Sequence, residues 1–197
     1  ISADDPAMHS SQNEQDNRHY ARAARMPMVE PSDSQECLDF MKVAYEVSER
    51  WNLPVLYRMT TRVCHSKSIV ELGERQEVHH EPYTREGRTR VCTPAIARRN
   101  HVALEQKMKE LYDYSNTCPL NRVEKRGGKI GVITAGISYQ YAKEVFPEDT
   151  SFLKIGFSNP LPMDLIREFA ASVEELYVIE ELDPIIENHC KALGLNV

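Results

Sequence analysis

The sequence has no long apolar run, no closely spaced cysteines and little glycine, and each shortage excludes something. None of its hydrophobic stretches approaches the ~20 residues that carry a helix across a bilayer, so a spanning helix is excluded and a cytoplasmic chain is expected. The five cysteines, Cys37, Cys64, Cys92, Cys118 and Cys190, are odd in number and far apart, without a C-x-x-C pair. Such spacing suits a reduced protein rather than a disulfide framework, and iron–sulfur sites gather cysteines more tightly. With 8 glycines and no G-x-G-x-x-G string, the dinucleotide fingerprint is missing too. A formal charge of −6 argues against a nucleic-acid surface.

What is present is an ordinary globular composition. Hydrophobic residues at 41% and charged residues at 27%, over 197 positions, leave room for one large domain or two small ones. Charge is unevenly placed. Residues 1–72 carry 8 basic and 11 acidic side chains, 73–128 carry 11 and 8, and 129–197 carry 5 and 11. The basic middle is interleaved with Glu77, Glu81 and Glu86, so it reads as a solvated connector rather than an anion-binding face. The chain opens on Ile1-Ser2-Ala3-Asp4-Asp5-Pro6, which reads as the end of a buried strand and suggests an excerpt from a longer protein.

Periodicity places the elements. Ser11-Gln12-Asn13-Glu14 has the S-x-x-E form of a capping box and predicts a helix on to about Ala24. Val29 lies in a short strand ended by Pro31. Residues 32–36 supply N-cap candidates for a long helix with Leu38, Met41, Ala44, Tyr45 and Val47 on one side, ending near Trp51. Residues 54–60 read as a buried strand with an exposed tip. This alternation predicts a mostly parallel sheet over residues 1–72. Residues 73–127 read as a linker with a helix at about 94–114, opened by Pro94. Residues 128–197 predict a small three-stranded α/β domain. Its strands lie at 129–134, 152–155 and 176–179, with helices from about Ile137 and Pro162 and a last one capped by Asp183.

The densest polar string is His9-Ser10-Ser11-Gln12-Asn13-Glu14-Gln15-Asp16-Asn17-Arg18, which follows a strand and enters a helix. Ligands of open parallel sheets lie beyond the carboxyl ends of the strands, and helix N-termini offer free N–H groups to anions. Ser11 and Glu14 are explained as caps and Asp16 by the helix dipole; His9, Gln12, Asn13 and Arg18 have no such local reason. A second polar tip, Arg58, Thr60, Thr61, Arg62, Cys64, His65 and Ser66, falls at the same sheet edge. There Arg62 can fork onto a carboxylate or phosphate. The pocket-wall candidates are therefore His9, Ser10, Gln12, Asn13, Glu14, Arg18, Arg62 and His65. No catalytic group and no metal site is assigned. His79-His80 lacks further ligands at zinc spacing, and Cys64 and His65, as neighbours on a strand, face opposite ways. Glu180-Glu181 reads as a solvated strand end, and residues 131–136 as a tight structural turn.

The string from Ala3 to Arg18 closely resembles a signature of the thiamine-dependent α subunits of indolepyruvate-type 2-oxoacid:ferredoxin oxidoreductases. Glu30-Pro31-Ser32-Asp33-Ser34-Gln35-Glu36 and Pro54-Val55-Leu56-Tyr57-Arg58-Met59-Thr60-Thr61-Arg62 continue it in order. Ile133-Thr134-Ala135-Gly136-Ile137-Ser138-Tyr139, Pro160-Leu161-Pro162 and Val178-Ile179-Glu180-Glu181-Leu182-Asp183-Pro184 resemble the transketolase-C-like domain of those subunits. The likeness is weakest over 73–127, and Ala7 and Cys64 stand where glycine and serine are expected. The resemblance implies an α/β fold: part of a parallel-sheet, thiamine pyrimidine-binding domain at 1–72, and a transketolase-C-like domain at 128–197. It implies thiamine diphosphate with a divalent metal, and iron–sulfur clusters, in the full-length enzyme, with none expected on this piece alone. The activating glutamate, the Gly-Asp-Gly string and the cysteine clusters are expected elsewhere in the subunit. Implied partners are the rest of that subunit, a second (β) subunit, ferredoxin, coenzyme A and an arylpyruvate; no nucleic acid or membrane is expected. An α-keto acid brings a carboxylate, for which Arg18 or Arg62, with His9 and Asn13, is the candidate receptor.

Two rival readings stand beside this one. One is a regulatory module that binds a nucleotide at the Ala135-Gly136 turn; the other is a structural assembly domain. An incomplete sheet would also expose an unpaired edge, so a homo-oligomer or other shielding through that edge is expected.

Overall fold

The structure, a computed structural model, describes residues 1–75, 77 and 82–197, so the His79-His80 pair and Glu81 lie outside the described residues. Short segments alternate as the sequence requires: β1 (Ser2–Asp4), α1 (Arg18–Ala24), β2 (Met28–Val29), α2 (Ser34–Trp51) and β3 (Leu56–Thr60), followed by the short α3 (Thr61–His65). Both β1 and β2 pair in parallel with β3. The same sheet gains a fourth strand from far along the chain. This is β7 (Phe157–Asn159), antiparallel to β2, which gives the order β1-β3-β2-β7.

The expected α/β class is present, and some of its details differ. Helix α1 begins at Arg18, not near Ser11. The Ser11 hydroxyl donates to the Asn13 carbonyl, and the Glu14 carboxylate accepts from the Ala7 N–H at 2.9 Å. The capping-box residues thus close a loop instead of a helical turn. The side-chain cap lies at α2, where the N-cap Asp33 accepts from the Glu36 N–H at 2.9 Å and the Glu36 carboxylate reaches back past it to the Ser32 N–H at 2.8 Å. The buried face of α2 is Phe40, Ala44, Val47 and Trp51 with Glu36, a 4-4-3-4 spacing that follows the 3.6-residue turn. Tyr45, expected on that face, is 67% exposed.

The second half runs α4 (Gly87–Arg90), α5 (Pro94–Thr117), β4 (Arg122–Glu124), β5 (Ile130–Ala135), α6 (Ser138–Val145) and β6 (Ser151–Ile155). Then come β7, α7 (Met163–Ala170), β8 (Glu175–Ile179) and α8 (Ile185–Ala192). The three expected strands β5, β6 and β8 are parallel, and β4 adds an antiparallel edge to give the order β4-β6-β5-β8. With one apolar residue between two charged ones, β4 gave no readable strand pattern. The expected Asp183 cap on α8 is replaced. The Glu180 carboxylate accepts from the Ile186 and Glu187 N–H groups at 3.1 and 3.0 Å.

Two features bind the sheets together. The second half of α5 and the turn after it supply Leu111, Cys118 and Leu120 to a core that includes Val29, Phe40, Trp51 and Phe157. A stretch read as linker from its charge therefore carries core residues. Between β6 and β7, Gly156 threads the chain from one sheet to the other. A Cβ there would sit 2.5 Å from the Leu120 carbonyl oxygen and 2.7 Å from the Phe40 ring, so only glycine fits. Beside it the fully buried Lys154 pairs with Glu36 and lies 4.6 Å from the centre of the Phe40 ring.

Candidate functional site

The parallel register aligns Asp4 with Thr60, so the loop after β1 and the tip of β3 share one edge of the first sheet. Asp5 organises that loop. Its carboxylate accepts from the Ser10 N–H at 2.8 Å, the Ser11 N–H at 2.6 Å and the Thr61 hydroxyl at 2.8 Å. Burial works against ionisation, but these donors prevail and hold the Asp5 carboxyl down at about 2. Ala7 and Met8 adopt φ of 51° and 57°, the left-handed region that costs an L residue roughly 1–2 kcal/mol. The resemblance expects glycine at position 7, and the backbone shows why.

Beneath the loop lies a buried ionic seam. Arg58, 4% exposed, donates through Nε to Asp4 at 2.5 Å and through Nη1 to Glu30. Asp4 also accepts from the Asn17 N–H at 3.0 Å. Arg18, 3% exposed, binds Asp16 at 2.6 Å and Glu180 at 2.6 Å, and donates to the carbonyls of Glu181 and Asp183 at 2.7 and 2.8 Å. Burial lowers the pKa of both arginines, but the surrounding carboxylates outweigh it and the net shift is upward. Asp4 moves the other way for a carboxyl: burial raises it despite Arg58. Because Arg18 is on α1 and Glu180 follows β8, this seam joins the two sheets.

The remaining candidates form an exposed rim. His9, Ser10, Gln12, Asn13 and Glu14 are exposed on the loop, and Arg62 and His65 on α3. Across the edge stands Glu181, half-buried, whose carboxyl is raised by burial while Arg58 and His9 pull it back. Tyr141 on α6 is raised by burial and by Glu181, with Arg62 opposing. Across the junction, then, His9 acts electrostatically on Glu181, and Glu181 and Arg62 act in opposite senses on Tyr141. Among the described residues, the Asn13 side chain makes a local 3.4 Å bond to the Glu14 carbonyl.

Two expectations are corrected here. Arg18, a candidate receptor for a substrate carboxylate, is 3% exposed and its guanidinium is bonded to Asp16, Glu180 and the carbonyls of Glu181 and Asp183, so it belongs to the seam and not to the exposed rim. Glu180-Glu181, read as solvated, is a buried strut followed by a half-buried rim carboxyl. The available signal was their position at the carboxyl end of a parallel strand. Tyr141 had no sequence signal, since its helix packs on the second sheet and meets the first half of the chain only in three dimensions, where Gln140 donates to Asp33 at 3.1 Å.

The Ala135-Gly136 turn was the rival nucleotide site. Gly136 has a φ of 54°, and a Cβ there would lie 3.7 Å from a Glu30 carboxylate oxygen. A phosphate at this turn would face that charge. Among the described residues, Asp16, His19 and Asp183 have ligand atoms within 4.8 Å of one another. Asp16 is held there by Arg18, a cation already in place, and His19 Nε2 lies 2.6 Å from Asp183.

Indolepyruvate oxidoreductase subunit IorA of Methanothermobacter thermautotrophicus is 45% identical over 98% of this chain, and that of Archaeoglobus fulgidus is 40% identical over 99%. The chain is a relative of the IorA subunits. It spans 32% of the length of each of these two proteins. The IorA of Thermococcus kodakarensis is 38% identical over 96% of the chain, so the likeness to IorA runs through both sheets and the segment between them. No family model matches. A solved 2-oxoglutarate:ferredoxin oxidoreductase from Magnetococcus marinus superposes with a TM-score of 0.57, over 85% of this chain and 37% of that one, at 14% identity. At that identity the likeness establishes a shared fold.

Proposed function

We propose that the chain is part of an oxidoreductase subunit that oxidatively decarboxylates indolepyruvate and related arylpyruvates. The products are an acyl-CoA and carbon dioxide, and electrons pass to ferredoxin. Within that subunit, His9, Ser10, Gln12, Asn13, Glu14, Arg62 and His65 form one wall of the substrate and cofactor pocket, joined by Tyr141 and Glu181. The observation that carries this reading is the placement of an exposed guanidinium, Arg62, at the carboxyl edge of a parallel sheet, opposite a loop of hydrogen-bonding side chains. Arg62 binds the keto-acid carboxylate as a fork. Burial of Glu181 reduces repulsion at that end by favouring its neutral form.

Thiamine diphosphate with a divalent metal, and iron–sulfur clusters, belong to the proposal for the whole enzyme. The residues of this chain do not fit either as a complete site. The sequence has no Gly-Asp-Gly string, and the one carboxylate–imidazole group among the described residues is occupied by Arg18. No three cysteines converge among the described residues. In this proposal the groups that complete the cofactor sites come from residues outside this chain. The proposed partners follow: the remainder of the subunit, a second subunit, ferredoxin and coenzyme A, in the cytoplasm. The outer side of β1 has no paired strand among the described residues, which makes it the proposed edge for assembly, either with the rest of the subunit or with a second copy.

In the full-length enzyme, Arg62→Ala raises KM for indolepyruvate tenfold or more and Arg62→Lys restores part of the loss. Steady-state kinetics that are unchanged in Arg62→Ala would overturn the assignment.

A further inference from the structure

The turn between β8 and α8 is strained. Leu182 adopts a φ of 71°, a left-handed conformation that is unfavourable for an L residue. Such strain persists where the surroundings over-determine it, and it gathers at functional sites. Here Arg18 supplies the constraint. Its Nη2 donates to the Glu181 carbonyl at 2.7 Å and to the Asp183 carbonyl at 2.8 Å, so one nitrogen grips the chain on both sides of Leu182. The neighbours are anchored as well. The Glu180 carboxylate accepts from Arg18 Nη1 at 2.6 Å, the Asp183 N–H donates to Asp16 at 3.3 Å, and Asp183 Oδ2 lies 2.6 Å from His19 Nε2. The backbone that carries Glu181 is thus held from α1 and from the residue pair just before it.

The Glu181 side chain meets a different set of groups. It is half-buried, with Arg58 and Thr60 from β3, His9 from the loop and Glu30 from the end of β2 acting on it. On α6, Tyr141 feels both Glu181 and Arg62 of α3. Burial raises the Glu181 carboxyl, while Thr60, Arg58 and His9 pull it back. The Arg18–Glu180 pair by itself joins the two sheets; the two carbonyl bonds act on the turn.

We infer that Arg18 is a positioning residue for the keto-acid carboxylate. By gripping the carbonyls on either side of Leu182 it holds the Glu181 carboxyl at the Arg62 end of the rim, where protonated Glu181 admits the substrate and ionised Glu181 opposes it. The inference rests on the reading of Arg62 given above.

The test uses the full-length holoenzyme with indolepyruvate, and reads kcat/KM for Glu181→Gln divided by kcat/KM for its parent as pH rises. In the wild-type background this ratio is near unity where Glu181 is protonated, and it climbs to about tenfold as Glu181 ionises and repels the substrate carboxylate. Division by the parent cancels the titration of other groups, His9 and His65 among them. Arg18→Lys keeps a cation beside Asp16 and Glu180, but an ammonium has too few donors to hold both carbonyls as well. In that background the climb falls to about twofold or less. Adding Leu182→Gly, which occupies a φ of 71° without strain, restores most of it. A role for Arg18 in stability alone would weaken resistance to urea and leave the climb unchanged. Should Arg18→Lys fail to fold, Leu182→Pro, whose ring fixes φ at about −65°, displaces the turn directly and must flatten the climb in the same way. A flat ratio in the wild-type background, an equal climb with and without the Arg18 grip, or no recovery with Leu182→Gly would each overturn the inference. If the wild type does not turn over indolepyruvate, or Arg62→Ala leaves its kinetics unchanged, the functional reading fails and this inference with it. Where both of those hold, a failure of the ratio touches this inference alone.

Discussion

The polar string at the start of the chain divides into two regions with opposite physical roles. Asp4, Asp5, Asp16, Asn17 and Arg18 are buried or nearly so and bond to groups from β3, α3 and the β8–α8 turn. His9, Ser10, Gln12, Asn13 and Glu14 stand in solvent on the loop between them. Residues of similar polarity, a few positions apart, thus serve as framework and as rim. The framework is recognised by burial and pairing: each guanidinium of the seam faces two or more carboxylates or carbonyls. The rim is recognised by exposure: its side chains stand in solvent, even where Ser10 bonds Asp5 and Glu14 bonds the Ala7 N–H.

That division makes predictions of decreasing size. Arg58→Leu leaves Asp4 and Glu30 as buried carboxylates without their cation, and breaking such a pair from one side costs about 3–5 kcal/mol. Urea unfolding should register that loss; a loss under 1 kcal/mol would place Arg58 outside the framework. Acid should act through Asp5 next. Its carboxyl is depressed from 3.8 to about 2 in the folded chain, so its stabilisation is fully present above 3.8 and fades as pH falls toward 2. The gap in melting temperature between wild type and Asp5→Asn should therefore shrink over that window, and a gap that stays constant would contradict the assignment. The smallest effect is a gain. Ala7→Gly removes left-handed strain at φ 51° but adds unfolded-state freedom, for a net stabilisation of about 0.5–1 kcal/mol. A destabilised Ala7→Gly would show that the loop needs the methyl group.

Much of the fold was legible because it rests on short-range chemistry. The alternation of Val29, the 34–51 helix and the 56–60 strand follows from apolar spacing and from the Asp33-x-x-Glu36 cap. What was not legible depended on partners distant in sequence. Ser11 and Glu14 satisfy a capping motif, yet the Asp5 carboxylate, with three donors to hold, draws the loop away from a helix. Strand β7 pairs with β2 across more than a hundred residues and has three positions of its own. Arg18 looked free for a ligand because one of its two carboxylates, Glu180, is 162 positions away and the other, Asp16, was explained by the helix dipole. For the site, the sequence indicated the correct sheet edge and the exposed loop, and it missed Glu181 and Tyr141, which reach that edge from the second sheet.

The most direct test of the division compares Arg18→Ala with Arg62→Ala by urea unfolding of the same full-length protein. Loss of about 3–5 kcal/mol for Arg18 and a change within about 0.5 kcal/mol for Arg62 is the predicted result. Equal losses for the two arginines would contradict it.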